Sequence, residues 1–104
     1  MLQHVVLFSF PSEPSEEDWQ EMQSHVRSWP SEIGGIEALR LGPSINTERT
    51  RGYHHLLYME FVDQDALVRY QQHPVHKKFL QWVIDHNFTP LAFDYYLDDE
   101  TVIL

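Results

Sequence analysis

The first ten residues constrain the fold most, because they form a predicted strand, 2–10, that is apolar on both of its faces. Successive side chains of a strand point to opposite faces. One face carries His4, Val6, Phe8 and Phe10, and the other carries Val5 and Leu7. A strand of this kind is covered on both sides. Each face of the sheet that contains this strand therefore requires a covering layer.

The pattern of apolar residues predicts the element order β-α-β-β-α-β. Ser15 followed by Asp18 resembles a capping box, and the helix that it opens carries an apolar stripe typical of a core-facing helix. The stripe consists of Trp19, Met22, Val26 and Trp29, before Pro30 and Gly34-Gly35 end the helix. The further predicted strands are 36–41, 53–61 and 91–97, with a polar connection over 42–52.

A proline divides the second helical region in two. Asp63 can cap a short helix that runs through Tyr70. Pro74 then opens a longer helix, where its missing N–H has no cost. His73 lies at the break and His76 in the first turn of the new helix. Imidazoles held on a rigid turn can act as acids, bases or ligands near neutral pH.

This order predicts a single α+β domain of the ferredoxin-like type, with a four-stranded antiparallel sheet and helices on one face. The other face exposes Leu7, Leu56 and Tyr58, and a bare apolar face of this kind usually marks an interface. We therefore expect a homodimer through the sheet face. The domain covers residues 1–97, and the tail 98–104 is acidic and then apolar, which suggests that it docks.

The charge and composition exclude several classes of partner. Seven Lys and Arg stand against 16 Asp and Glu, a formal net charge of −9. Nucleic acids and anionic membranes both require a basic face, so neither is an expected partner. The chain has no cysteine for thiolate chemistry, and no apolar run reaches the ~20 residues of a membrane span. We expect a cytoplasmic location.

Four segments together resemble one known family, the stress-responsive A/B-barrel (Dabb) domains. They are His4-Val5-Val6-Leu7-Phe8-Ser9-Phe10, Arg51-Gly52-Tyr53, Tyr70-x-x-His73-Pro74-x-His76 and Phe93-Asp94-Tyr95. The resemblance covers the chain to about residue 97 and implies a dimeric α/β barrel. Most members of the family have no assigned activity. One plant branch is similar to polyketide cyclases, and there a histidine matching His76 serves as the acid/base. An aspartate matching Asp94 orients it, and a strand histidine matching His4 lies in the same pocket.

The residues allow a corresponding hypothesis for this chain, a His76–Asp94 pair across the gap between helix and sheet. An aspartate that accepts a proton from one imidazole nitrogen leaves the other nitrogen free as a base. Such a base could act on a small carbonyl or aromatic compound, as in a cyclase or isomerase, without a cofactor. The alternative is a buried polar pair that only satisfies both groups. The site residues that we assign are His76, Asp94 and His4 as catalytic, and Tyr70, His73, Tyr53 and His55 as substrate-binding.

Other functions remain open at this point. His73, His76 and Asp94 offer N and O donors for a metal, but no compact ligand motif is present, and we predict no metal. A non-enzymatic ligand-binding or stress and stability protein is one alternative. A monooxygenase of the antibiotic-biosynthesis or haem-degrading type, with the same architecture, is another.

Overall fold

The computed structural model describes residues 1–46 and 48–104; Thr47, in the predicted connection 42–52, lies outside them. The elements alternate as the apolar pattern predicts. They are β1 (Leu2–Ser9), α1 (Glu16–Arg27), α2 (Trp29–Glu32), β2 (Ile36–Pro43), β3 (Tyr53–Phe61), α3 (Gln64–Gln72), α4 (Pro74–Asp85) and β4 (Thr89–Tyr96). In the described part of the chain, no helix has both the length and the apolar composition needed to cross a bilayer.

The strands form one antiparallel sheet in the order β2-β3-β1-β4. The strand β1, which is apolar on both faces, is central, as its sequence requires. In the register, Val6 lies opposite Leu57 on β3 and Ala92 on β4. This is the predicted ferredoxin-like α+β arrangement, and it is confirmed, since the helices pack on the sheet face that carries Val6.

The core lies between the helices and this face of the sheet. Alternate residues of β1 and β3 meet the apolar faces of α1, α3 and α4 there. The most deeply buried large side chains are Trp29, Tyr70, Phe61, Met22, Leu57, Met59 and Val83. No described helix packs on the second face of the sheet, whose residues include Leu7, Leu56 and Phe93.

The first helical region differs from the prediction, which carried one helix as far as Trp29. The helix α1 ends at Arg27, and Trp29 begins the separate short helix α2, with Pro30 in its first turn. Proline fits a first turn because it has no N–H to satisfy. Trp29 is nevertheless completely buried, whereas Trp19 is only partly buried.

Three side chains cap helices where the sequence predicts helix starts. The Ser15 hydroxyl accepts from the Asp18 N–H at 3.0 Å, and the Asp63 carboxylate accepts from the Ala66 N–H at 2.8 Å. At the break before α4, His73 Nδ1 accepts from the Val75 N–H at 3.2 Å. The break therefore orients α4 and with it His76.

Candidate active site

His4 and Asp94 form the central hydrogen bond of the site. Their residues lie directly opposite each other in the β1–β4 register, and His4 Nδ1 lies 2.5 Å from Asp94 Oδ1. The His4 side chain is 7% exposed and the Asp94 side chain 41%. The prediction that Asp94 hydrogen-bonds to His76 is wrong, because the partner of Asp94 is His4 on the neighbouring strand. Asp94 is also less buried than we predicted.

His76 is oriented instead by a backbone carbonyl of the preceding helix. Its Nδ1 lies 3.2 Å from the Gln71 carbonyl oxygen, at the end of α3. A carbonyl oxygen only accepts, so Nδ1 carries the proton and Nε2 of the neutral ring has a free lone pair. His4 Nδ1 likewise donates to the Asp94 carboxylate. Nδ1 is therefore the donor in both imidazoles.

Tyr70 lies between these two histidines. The ring centroids of Tyr70 and His76 are 4.3 Å apart, and those of Tyr70 and His4 are 5.8 Å apart. All three side chains line one cavity of about 180 Å³ between the helices and the sheet. The other lining residues are Gln71 and the largely apolar set Val6, Phe8, Leu57, Phe79, Leu80, Val83, Pro90 and Ala92. The predicted convergence of His4, Tyr70 and His76 on a cavity is thus present.

Burial gives these groups distinct protonation states. It lowers the pKa of His76 below 6.5, partly opposed by the hydrogen bond to the Gln71 carbonyl, and a charge on His4 lowers it further. Burial, followed by the negative charge of Asp94, raises the pKa of Tyr70 well above its usual value. At neutral pH His76 is therefore a neutral base, and Tyr70 is a hydrogen-bond donor.

The remaining predicted substrate-binding residues lie outside this cavity. His73 serves as the cap of α4. His55 is buried against Phe10 and Trp19, with ring centroids at 5.2 and 4.7 Å, and its Nδ1 has no hydrogen-bond partner within the described structure. Tyr53 and His55 line a different cavity, at the end of the sheet where β3 begins.

The candidate metal set His73, His76 and Asp94 does not converge. Among the described residues, the one group of three potential ligands within 4.8 Å of one another is Asp18, Glu21 and His86. His86 Nε2 lies 3.5 Å from Asp18 Oδ1. This group joins α1 to the residue that follows α4, and none of its members lines the cavity.

Sequence reasoning missed two features of the site. It did not find the Gln71 carbonyl as the group that orients His76, because a backbone acceptor leaves no residue-type signal. It also missed the direct pairing of His4 with Asp94. Their common face follows from strand alternation, but their exact opposition depends on the register, which apolar patterns leave undetermined.

The fold and the site define a ferredoxin-like α+β domain with a histidine-lined cavity between helices and sheet. The chain belongs to the Dabb family, the stress-responsive A/B barrel domain, whose family model matches residues 2–97. The tail 98–104 lies beyond the matched region. No curated protein matches the chain significantly in sequence.

Solved structures share this fold at low identity. A crystal structure of an Arabidopsis thaliana protein is 24% identical, with 98% of this chain and 100% of that chain covered and a TM-score of 0.80. A hydroxynitrile lyase from Passiflora edulis is 11% identical, with 97% and 96% covered and a TM-score of 0.81. A dimeric ferredoxin-like protein of unknown function from Thermobifida fusca is 17% identical, with 92% and 90% covered and a TM-score of 0.78. At these identities the likeness establishes the fold alone.

Proposed function

We propose that this Dabb-domain protein binds a small carbonyl or aromatic compound in the cavity lined by His4, Tyr70 and His76, and acts on it by acid–base chemistry. The observation that carries the proposal is the meeting of a neutral base, a protonated phenol and a carboxylate-oriented imidazole at one cavity. Perturbed titratable groups in a concave site are typical of catalysis. His76 and His4 are the proposed catalytic side chains, and Asp94 orients His4.

The cavity limits the size and the polarity of the ligand. A cavity of roughly 150 Å³ with apolar walls can hold benzene, so the present volume of about 180 Å³ suits a single ring or a short carbonyl compound. Phe8, Phe79 and Val83 provide apolar contact, while the polar groups stand together at His4, Tyr70 and His76. A ligand with one apolar side and one carbonyl oxygen matches this division.

Each polar group has a separate role in the proposed reaction. The Tyr70 hydroxyl donates to the carbonyl oxygen and stabilises the negative charge that develops there. His76 Nε2 accepts a proton from the neighbouring carbon or hydroxyl group. His4, held by Asp94, can take up or return a proton on the other side of the cavity. The Passiflora edulis neighbour, named a hydroxynitrile lyase, is consistent with this chemistry on the same fold.

We also propose that the protein is a homodimer whose copies pack through the uncovered sheet face. Phe93, Leu91 and Leu56 are exposed there in the single chain. The same face contains a polar cluster, in which the Tyr58 hydroxyl donates to Gln3 and Gln3 Nε2 donates to Glu60 at 2.8 Å. Several structural neighbours are described as dimeric. A cytoplasmic location remains our expectation.

Exchange of carbon-bound hydrogen tests the acid–base function directly. Acetophenone incubated with the protein in D₂O should gain deuterium at its methyl group faster than in buffer, as followed by NMR. His76→Ala should reduce the protein-dependent rate by about 10²-fold or more, the usual range for loss of a general base. His73→Asn is the matched control, because asparagine keeps a capping acceptor while one imidazole is removed near the site.

The outcomes separate the alternatives. Exchange that survives His76→Ala unchanged contradicts the assigned base. Binding of acetophenone without any exchange, with binding lost on substitution of Tyr70 by Phe, supports a ligand-binding module in place of an enzyme. Absence of both binding and exchange for small aromatic and aliphatic ketones contradicts the proposed function.

A further inference from the structure

A second cavity, of about 520 Å³, lies on the uncovered face of the sheet, at the end where the connection between β2 and β3 turns back. Its floor consists of three leucines on adjacent strands. Leu7 on β1 lies opposite Leu56 on β3 and Leu91 on β4. The cavity shares no lining residue with the cavity that contains His76, so the two are separate sites.

The wall of this cavity is basic, which is unusual in so acidic a chain. Arg49 and Arg51 both line it, and none of the described residues that line it is an aspartate or a glutamate. The chain has 16 carboxylate side chains against 7 Lys and Arg, yet neither guanidinium forms an ion pair with any described carboxylate. A concave site with charge of one sign and low-dielectric walls concentrates counter-ions. The cavity therefore favours an anion.

The backbone holds the arginine wall in a defined shape. The Tyr53 N–H donates to the Thr50 carbonyl at 3.0 Å, and the Ser44 N–H donates to the His54 carbonyl at 2.8 Å. Arg51 has a φ of 52°, in the left-handed region that few residues other than glycine and asparagine occupy. Such conformations persist where the surrounding structure imposes them and cluster at ligand sites.

We propose that this cavity binds an amphiphilic monoanion, of the class of medium-chain carboxylates. The planar fork of a guanidinium matches a carboxylate with two parallel hydrogen bonds, and Arg49 and Arg51 supply two such forks. The alkyl chain lies over Leu7, Leu56 and Leu91 and removes their exposed apolar surface from water. The volume is within the range of small-molecule sites.

The site adjoins the face through which we propose dimerisation. The leucine floor belongs to that face, so a second copy packed on it would cover the bound alkyl chain. Carboxylate binding is nevertheless independent of the acid–base function, because it uses none of His4, Tyr70 or His76. The two proposals can fail separately.

Calorimetric titration with octanoate, and with 1-octanol as the neutral analogue, tests the charge. Octanoate should bind, and 1-octanol should bind at least about tenfold more weakly, the size expected from the loss of one charged hydrogen bond. Arg49→Gln and Arg51→Gln should each weaken octanoate binding to a similar degree. Arg27→Gln, which removes one positive charge from the exposed surface of α1, should leave the affinity unchanged.

Methyl NMR of the intact protein tests the location. Octanoate should shift the methyl resonances of Leu7, Leu56 and Leu91, and leave those of Val83 in the His76 cavity unmoved. Folding of each variant is checked by its methyl spectrum, and Arg51→Lys, which keeps the charge, provides a second test if Arg51→Gln does not fold. Equal binding of octanoate and 1-octanol, insensitivity to both arginine substitutions, or shifts confined to the His76 cavity would overturn the assignment.

Discussion

At the scale of single residues, the site is defined by which atoms of His4, Tyr70 and His76 donate and which accept. Burial and hydrogen bonding determine these roles. The two imidazoles each donate from Nδ1, one to Asp94 and one to the Gln71 carbonyl. Burial keeps His76 neutral and Tyr70 protonated. The proposed base and the proposed donor are therefore both in the protonation states that the proposed acid–base chemistry requires at neutral pH.

The pH profile of the proposed exchange reaction should reflect the protonation state of His76. A base acts when it is unprotonated, and the pKa of His76 is lowered below 6.5 mainly by burial. The rate should therefore be level near pH 7 and fall only at a pH below 6.5. The profile of protein-dependent deuterium incorporation between pH 4.5 and 8 measures this. A midpoint above 6.5 would show that His76 is not the titrating base.

His55 should make the stability depend on pH. Burial, followed by a charge on His54, lowers its pKa below 6.5, although Glu13 opposes the shift. Below that pH the unfolded chain binds a proton that the folded chain resists, so stability is full above pH 6.5 and is lost as the pH falls through the folded pKa.

Replacement of His55 tests this directly. His55→Phe should flatten the loss of unfolding free energy between pH 7 and 5. It also removes a buried Nδ1 without a described partner, which should add about 1 kcal/mol at pH 7. Urea unfolding at several pH values measures both effects.

At the scale of secondary-structure elements, the helical layer depends on a tryptophan from the short helix α2. Trp29 is fully buried and its ring centroid lies 5.3 Å from that of Tyr70 and 5.2 Å from that of Phe79. It thus joins α2 to α3 and α4 beside the cavity. Trp19, on α1, is only partly buried.

Truncation of these two tryptophans should have unequal effects. Trp29→Ala should lower the free energy of unfolding by about 3–5 kcal/mol, the usual cost of removing a fully buried large aromatic side chain. Trp19→Ala should cost clearly less, because part of its surface is already in water. Urea denaturation of both variants measures the difference. Equal losses would mean that Trp29 contributes less to the free energy of unfolding than its complete burial indicates.

Most of the element order could be read from the sequence, and the reasons are local. Ser15 and Asp63 are capping residues directly before apolar stripes, and Pro74 suits the first turn of a helix. The limits of prediction are also local. The spacing of Trp19, Met22, Val26 and Trp29 continues across the break at Ser28, because α2 resumes nearly the same apolar face. Periodicity alone cannot detect such an interruption.

The site was less predictable than the fold for a different reason. His4, Tyr70 and His76 were assigned to one pocket, and the structure brings them together. The partner of Asp94 was not predicted correctly, because a sequence shows that a carboxylate needs a donor but not which of two imidazoles lies nearer. Arg49 and Arg51 lie in a polar connection without periodicity. The sequence therefore does not show that both side chains line the same cavity.

At the scale of the whole molecule, the sheet is covered by helices on one face and bare on the other. The bare face carries aromatic and aliphatic side chains on its edge strand β4, with Phe93 66% exposed. It also carries Arg40, whose guanidinium carbon lies 5.1 Å from the centroid of the Tyr58 ring. An exposed apolar surface of this extent is typical of a protein–protein interface.

The proposed homodimer predicts a specific response to charge on this face. Phe93→Asp should dissociate the dimer, because association would bury an unpaired carboxylate, and the single chain should still fold, since Phe93 makes little core contact. Ile84→Asp is the matched control, because Ile84 is 57% exposed on α4, on the opposite side of the molecule. Light scattering should give twice the 12.4 kDa chain mass for the wild type and Ile84→Asp, and the single chain mass for Phe93→Asp. A wild-type protein of single chain mass at micromolar concentration would exclude the dimer, and a Phe93→Asp protein that stays dimeric would place the interface elsewhere.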